Sequence, residues 1–216
     1  MFNAILWNGN RVNRLNTFAM DLPDDELAGE PLFKRQPVVG YFEALRNGQG
    51  TNDFVMVGVH LASGQTNDEN HLIAMVLLEH GLSAALAANE VQESDRIILG
   101  DFNDNPYATS STGRRRFSNA LYTHMEFKRY EDLVTEDFHS TRMDDNLTSV
   151  IDHVLVNSSV RLDMPSPATA SIFLPGNGDS TTFGAWRGTF SDHFPISFTL
   201  NVRTSDTDVD FDGPDQ

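Results

Sequence analysis

Apolar residues in this chain fall into short runs far more often than into helical stripes. Phe2 to Trp7 is an apolar run of strand length, Asn8-Gly9-Asn10 is a turn signal, and Val12 to Phe18 reads as a returning strand. Residues 19–33 are acidic and polar and carry Pro23 and Pro31, which predicts a loop. Val38 to Glu43 and Phe54 to Leu61 are rich in strand formers, and Arg46 to Asp53, with two glycines, is expected to supply the hairpin loop between them. The run Phe54-Val-Met-Val-Gly-Val-His-Leu is apolar on both faces, as a central strand should be.

One stretch follows a different period. Leu72, Met75, Leu78, Leu82 and Leu86 recur at spacings of three and four, and Thr66 with Glu69 fits a capping box. A helix over 66–90 is expected. Ile97-Ile98-Leu99 reads as a short buried strand behind it, and a short helix is expected around 115–121. Val150 to Val156 and Phe194 to Val202 read as strands, with Pro195 near the start of the second, where a missing N–H costs least. Residues 175–190 are rich in Gly, Ser and Thr and predict a long loop. Strands interrupted by one long helix and several loops point to an α/β layered sandwich. Asp206, Asp208, Asp210, Asp212 and Asp215 dominate the last segment. The expected division is therefore a domain over 1–204 and an acidic disordered tail or linker over 205–216.

Composition narrows the chemistry. The 216 residues suffice for one sizeable domain. The absence of cysteine excludes disulfides, thiolate zinc sites and cysteine nucleophiles. No apolar run reads as the roughly 20 residues of a membrane helix, so a spanning protein is not expected. The chain opens on a strand-like run, so no signal peptide is expected at its start. A formal net charge of -16 argues against gripping polyanions through the bulk field. Lysine is confined to Lys34 and Lys128. That composition suits a salty or extracellular setting, although acidity is common in the cytosol too. Arg114, Arg115, Arg116, Lys128 and Arg129 could form a basic lip or simply a solvated loop.

Polar residues sit where the buried strands end. Asp101 and Asn103 follow Ile97-Ile98-Leu99, and strand alternation would place them on one face, where they could hold a water and a phosphoryl oxygen. Asp and Asn are also ordinary turn formers. Asp152 lies inside the apolar run Val150-Ile-Asp-His-Val-Leu-Val, where an unpaired carboxylate is costly, so it needs a partner, and a histidine is the natural one. Asp192 beside His193 could raise the imidazole pKa or bind a hard cation, and His60 ends a buried strand. Taken singly, each of these has an ordinary structural explanation.

Taken together, Val59-His60-Leu61, Gly100-Asp101-Phe102-Asn103, Ile151-Asp152-His153 and Ser191-Asp192-His193-Phe194-Pro195 resemble the motifs of the endonuclease/exonuclease/phosphatase superfamily, in the same order and with similar spacing. The resemblance covers about residues 1–202, with the opening stretch resembling a central strand pair that runs up to Lys34-Arg35-Gln36-Pro37-Val38. It implies a four-layer αββα sandwich with two facing mixed β-sheets. It also implies hydrolysis of a phosphate ester by an activated water with Mg²⁺, or Mn²⁺ or Ca²⁺ in its place.

By that resemblance Asp101 would orient or deprotonate the water and Asn103 would hydrogen-bond the phosphoryl oxygens. His193 would contact the scissile phosphate, with Asp152 fixing its orientation and charge. Asp192 and Asp101 would bind metal, His60 would be a second phosphate-facing histidine, and Arg35 would contact phosphate. A nuclease acting on DNA or RNA is the leading expectation, with lipid head groups and sugar phosphates open as substrates.

The family pattern carries two earlier motifs, an Asn on one strand and a Glu after Gln on another, which this chain lacks. The fold is accordingly expected to be incomplete at its N-terminus. A truncated or degenerate non-catalytic module is the alternative. At the other end, Asp208-x-Asp210-x-Asp212-Gly213 fits the first half of a calcium loop, or an acidic solubilising tail.

Overall fold

A long antiparallel hairpin anchors the structure, a computed structural model that describes residues 3–22, 26–27, 30–63, 68–106, 125, 128–134, 150–162, 170–174, 180–189 and 191–199. Its arms are β4 (Phe33–Arg46) and β5 (Gln49–Leu61). Asn47 and Gly48, at φ 54° and 79°, make the turn, and Arg46 pairs with Gln49. Two residues with positive φ match the right-handed twist of the flanking strands, and Asn-Gly supplies them cheaply. The hairpin loop is therefore much shorter than the Arg46–Asp53 expected, and residues 49–53 belong to β5.

Strand β1 (Val12–Ala19) pairs antiparallel with β4, and β6 (Arg96–Asp101) pairs parallel with β5. Strand β8 (Asp152–Val156) runs antiparallel to β6, and the short β7 (Glu131–Asp132) closes the far edge. The result is a mixed six-stranded sheet in the order β1-β4-β5-β6-β8-β7. The central position of β5 agrees with its unbroken apolar pattern.

Three expectations need correction here. Residues 3–7 form no strand, and Leu6 is 94% exposed. β4 already has β1 on one side and β5 on the other, so no ladder remains for them. The opening segment is instead held by Asn3 Nδ2, which donates to Gln36 O at 2.9 Å, and β1 is an edge strand, not part of a central pair. The stretch 19–33 is more than a loop. It includes the two-residue pair β2 (Glu26–Leu27) and β3 (Glu30–Pro31), and it buries Met20, Leu22, Leu32 and Phe33. Of the strand expected over Phe194–Val202, only β10 (Ile196–Ser197) forms among the described residues, paired with β9 (Ser171–Ile172).

The helix predicted over 66–90 is α1 (Asp68–Ala88). Met75, Leu78, Leu82 and Leu86 are buried as the spacing requires, while Leu72 of the same series is exposed. Full burial of each such Leu or Met contributes about 1.5–3 kcal/mol. The expectation that no apolar run reaches membrane length needs correction for one segment, Asn70–Ala88, by length and composition alone. One side of it packs on the sheet: Ala74, Met75, Leu78 and Leu82 are fully buried there with Val55, Val57, Val59 and Ile98. His71 fastens its start, with Nε2 2.8 Å from Ala62 O. The other sheet face presents Phe42, Phe54, Ile97, Val154 and Val156 to a second core, which Ile196 and Phe198 help cover. Short helix α2 (Ser158–Leu162) adds Val160 to that core.

The loop expected over 175–190 contains a helix, α3 (Ser180–Thr189). Thr and Gly are weak helix formers, so tertiary contacts decide this element. Trp186 packs against Phe173 at 6.1 Å between ring centroids and donates Nε1–H to His193 O. The helix expected at 115–121, Arg114 to Arg116 and the tail at 205–216 lie outside the described residues.

An acidic group gathers at the start of β6. Glu93 Oε1 accepts from Asp95 N at 2.6 Å, and Tyr41 donates its hydroxyl to Asp53. Burial pushes the Glu93 carboxyl up to about 9 against the opposing hydrogen bond from the Asp95 backbone N–H, with the charges of Asp53 and Asp95 adding to the rise. The folded pKa lies above the unfolded value, so the stability from this neutral carboxyl is fully present below about 4.5. It is lost as pH rises towards 9. Glu93→Gln is expected to flatten that alkaline decline. Melting temperatures of both proteins from pH 5 to 9 check this, and parallel curves would contradict it.

Candidate active site

One cross-strand row brings together most of the residues singled out in the sequence. Arg35 pairs with His60 across β4 and β5, His60 with Asp101 across β5 and β6, and Asp101 with Asp152 across β6 and β8. Parallel β5 and β6 both end here, while β8 begins here. Alternation places Asp101 on the sheet face of Ile97 and Leu99, and Asp152 on that of Val154 and Val156. The row therefore sits on the face of the second core, at its rim.

Glycine makes the close approach possible. Gly100 has φ 142°, and a Cβ there would come within 2.0 Å of Val59 O. No side chain fits between β5 and β6 at that position.

His193, just before β10, completes the group from outside the six-stranded sheet. Its Nδ1 lies 2.7 Å from Asp152 Oδ2, and its Nε2 lies 3.8 Å from Asp101 Oδ2. The hydrogen bond to Asp152 holds the His193 pKa above its ordinary value and outweighs the opposing effect of burial. The costly carboxylate in the Val150–Val156 run thus has the histidine partner its burial demands.

His60 behaves in the opposite way. Its Nε2 lies 3.5 Å from Asp101 Oδ2, and its Nδ1 lies 3.0 Å from Arg35 Nη1. Burial and the nearby cations Arg35 and His193 push its pKa down. Two imidazoles thus flank one carboxylate, one biased to the cation and the other to the neutral ring.

Asp101 and Asn103 do not continue as a strand. Asp101 Oδ1 accepts from Asn103 N at 2.8 Å, and Asn103 takes φ 48°. This is the turn chemistry of Asp and Asn. It swings the Asn103 amide to donate to Leu61 O at 2.9 Å, tying the turn to the end of β5. Asp192 stands apart from the row, with its side chain half exposed and Oδ1 4.0 Å from His193 Nε2.

Sequence reading missed a buried pair directly behind the row. His153 Nδ1 lies 2.6 Å from Asp132 Oδ2 and its Nε2 lies 3.0 Å from Asp104 O. Both side chains are fully buried. Burial lowers the His153 pKa, but Asp132 and the Asp104 carbonyl outweigh it and the net shift is upward. The signal was present: His153 shares the apolar run that made Asp152 conspicuous.

Asp101, Asp152 and His193 each offer a ligand atom within 4.8 Å of the others. Carboxylates with an imidazole suit a divalent cation, and magnesium needs only one or two carboxylates if waters fill the rest. The donor set therefore fits such an ion; it includes the Asp101 expected from the sequence, and Asp192 lies beside it. His193 Nε2 can carry a proton or a cation, not both.

No protein-family model and no curated protein matches this sequence. Solved structures do match. An endonuclease/exonuclease/phosphatase from Bacteroides vulgatus aligns at TM-score 0.55 and 12% identity, over 91% of this chain and 69% of that one. An endonuclease/exonuclease/phosphatase family protein from Bacteroides thetaiotaomicron aligns at 0.53 and 13%, over 89% and 66%. A mannosyl-6-phosphatase from the same organism aligns at 0.50 and 12%, over 90% and 68%. The fold is that of the endonuclease/exonuclease/phosphatase proteins. The chain spans less than two thirds of the length of some solved structures it matches, 61% and 66% in two cases.

Proposed function

We propose that this chain carries the acid–base part of a phosphoric ester hydrolase, acting with a divalent cation on phosphodiesters of nucleic acid. The observation that carries the reading is the His193–Asp152 pair facing Asp101, with His60 on the other side of that carboxylate. The likeness to a mannosyl-6-phosphatase keeps phosphomonoesters in view as substrates. The four-layer αββα arrangement is proposed for the whole enzyme, with the six-stranded sheet as one of its two inner layers.

Hydrolysis places a water oxygen on phosphorus, breaks the ester P–O bond, and moves protons away from the water and towards the leaving oxygen. Asp101 is the carboxylate placed to orient the water and accept its proton. His193, held as a cation by Asp152, stabilises charge on the phosphoryl oxygens and supplies the proton to the leaving oxygen from Nε2. His60 and the second amide N–H of Asn103 donate to phosphoryl oxygens. Asp101 and Asp152, with Asp192 alongside, would hold the cation, which when bound offsets the negative charge that develops on phosphate.

The test is hydrolysis of bis-p-nitrophenyl phosphate and plasmid DNA with Mg²⁺ or Mn²⁺, with and without EDTA. Turnover that EDTA abolishes and Asp101→Ala removes is expected. A folded, monodisperse sample inert with both ions would overturn the reading for this chain.

A further inference from the structure

We infer that Arg35 is a positioning residue that fixes His60 as the neutral Nε2–H tautomer. Its guanidinium has donors only and stays protonated at any ordinary pH. At 3.0 Å from Arg35 Nη1, His60 Nδ1 must therefore present its lone pair. A proton on Nδ1 would set N–H against N–H, and in the doubly protonated ring it would also bring two cations into contact. The ring proton accordingly sits on Nε2, and Nε2 faces the Asp101 carboxylate oxygen at 3.5 Å. The Arg35 contact sets the tautomer, the Asp101 oxygen is compatible with it, and backbone pairing of Arg35 with His60 and of His60 with Asp101 holds both geometries in place.

Arg35 is thereby assigned a duty different from phosphate contact through Nη1. It divides labour between the histidines. His60 points an N–H into the site and has no proton to release without becoming an imidazolate, whereas His193 is the ring that exchanges one. The tautomer is a property of the chain by itself. Only its consequence for turnover rests on the phosphoric ester hydrolase reading.

Ring-nitrogen NMR of ¹⁵N-histidine-labelled, metal-free protein near neutral pH tests the assignment, with His60 signals identified by their loss in His60→Gln. Wild type should show His60 Nδ1 in the unprotonated range and Nε2 in the protonated range. Arg35→Met should move both signals towards a tautomer average, while Arg35→Lys, which keeps a donor-only cation, should restore the wild-type pattern. In the active enzyme Arg35→Met should lose about 10–100-fold in turnover, the scale seen when the outer partner of a site imidazole is removed. A protonated Nδ1 in wild type overturns the inference even if the variants fail to fold. So does an Arg35→Met spectrum in which His60 is unmoved. Normal ring signals with no turnover would sink the hydrolase reading and leave the tautomer standing.

Discussion

His193→Ala should lower turnover by about 10²–10⁴-fold, the range of a positioned acid–base group, while changing stability little. Three observations carry the expectation. The ring is tied to Asp152 at 2.7 Å, its Nε2 faces Asp101 Oδ2 at 3.8 Å, and it is attached to the six-stranded sheet from outside. Its removal takes one hydrogen-bond partner from Asp152 at a partly exposed rim, where water can take the place of the ring. Asp152→Asn should fall in the same range, because an amide cannot hold the imidazole as a cation. The double variant should be hardly worse than either single one if the two act as a unit. Steady-state hydrolysis of the chromogenic diester, beside urea unfolding of each variant, separates lost chemistry from lost fold. Additive losses in the double variant would mean that the residues act separately.

The largest effect on stability should come from Asp132→Ala. His153 Nε2 donates to the Asp104 carbonyl and its Nδ1 faces Asp132, whose charge, with a smaller contribution from Asp152, favours the protonated ring. Removing that charge should cost about 3–5 kcal/mol, the scale for breaking a buried pair. Asp132 Oδ1 also accepts from Val134 N at 3.0 Å, which adds to the loss. The pair carries a pH signature. The His153 pKa is raised on folding, so the stability it contributes is fully present below 6.5 and is lost as pH rises through the higher folded value. Urea unfolding of wild type and Asp132→Ala near pH 6 and pH 9 measures both effects. A cost below about 1 kcal/mol would show that the ring is neutral and the pair no ion pair.

Local patterns proved legible where burial and spacing alone decide structure. The apolar run Phe54–Leu61 became a central strand, and the three-and-four spacing of Met75, Leu78, Leu82 and Leu86 became α1. The demand of Asp152 for a cationic partner is met by His193, although it lies 41 positions further along the chain. What escaped depends on neighbours that a linear pattern does not reveal. Residues 3–7 look like a strand until both sides of β4 are seen to be taken. Ser180–Thr189 looks like a loop until Trp186 finds Phe173 and the His193 carbonyl. The partner of His153 was hidden because Asp132 sits on a two-residue strand too short for any periodicity to mark.

The cross-strand row has a consequence for when this protein can work. Slipping any of these strands by one residue would turn its member of the row to the opposite face. A chain that had collapsed around a nearly correct sheet could keep most of its apolar burial and still have no chemistry. The functional group is also assembled from distant parts of the chain, with Arg35 and His60 25 positions apart and Asp152 and His193 41 positions apart. Such contacts are entropically slow to form, so competence should arrive late in folding, after α1 and the β4–β5 hairpin have taken shape. On the proposed reading, turnover would therefore report strand alignment and be silent in every misregistered sheet.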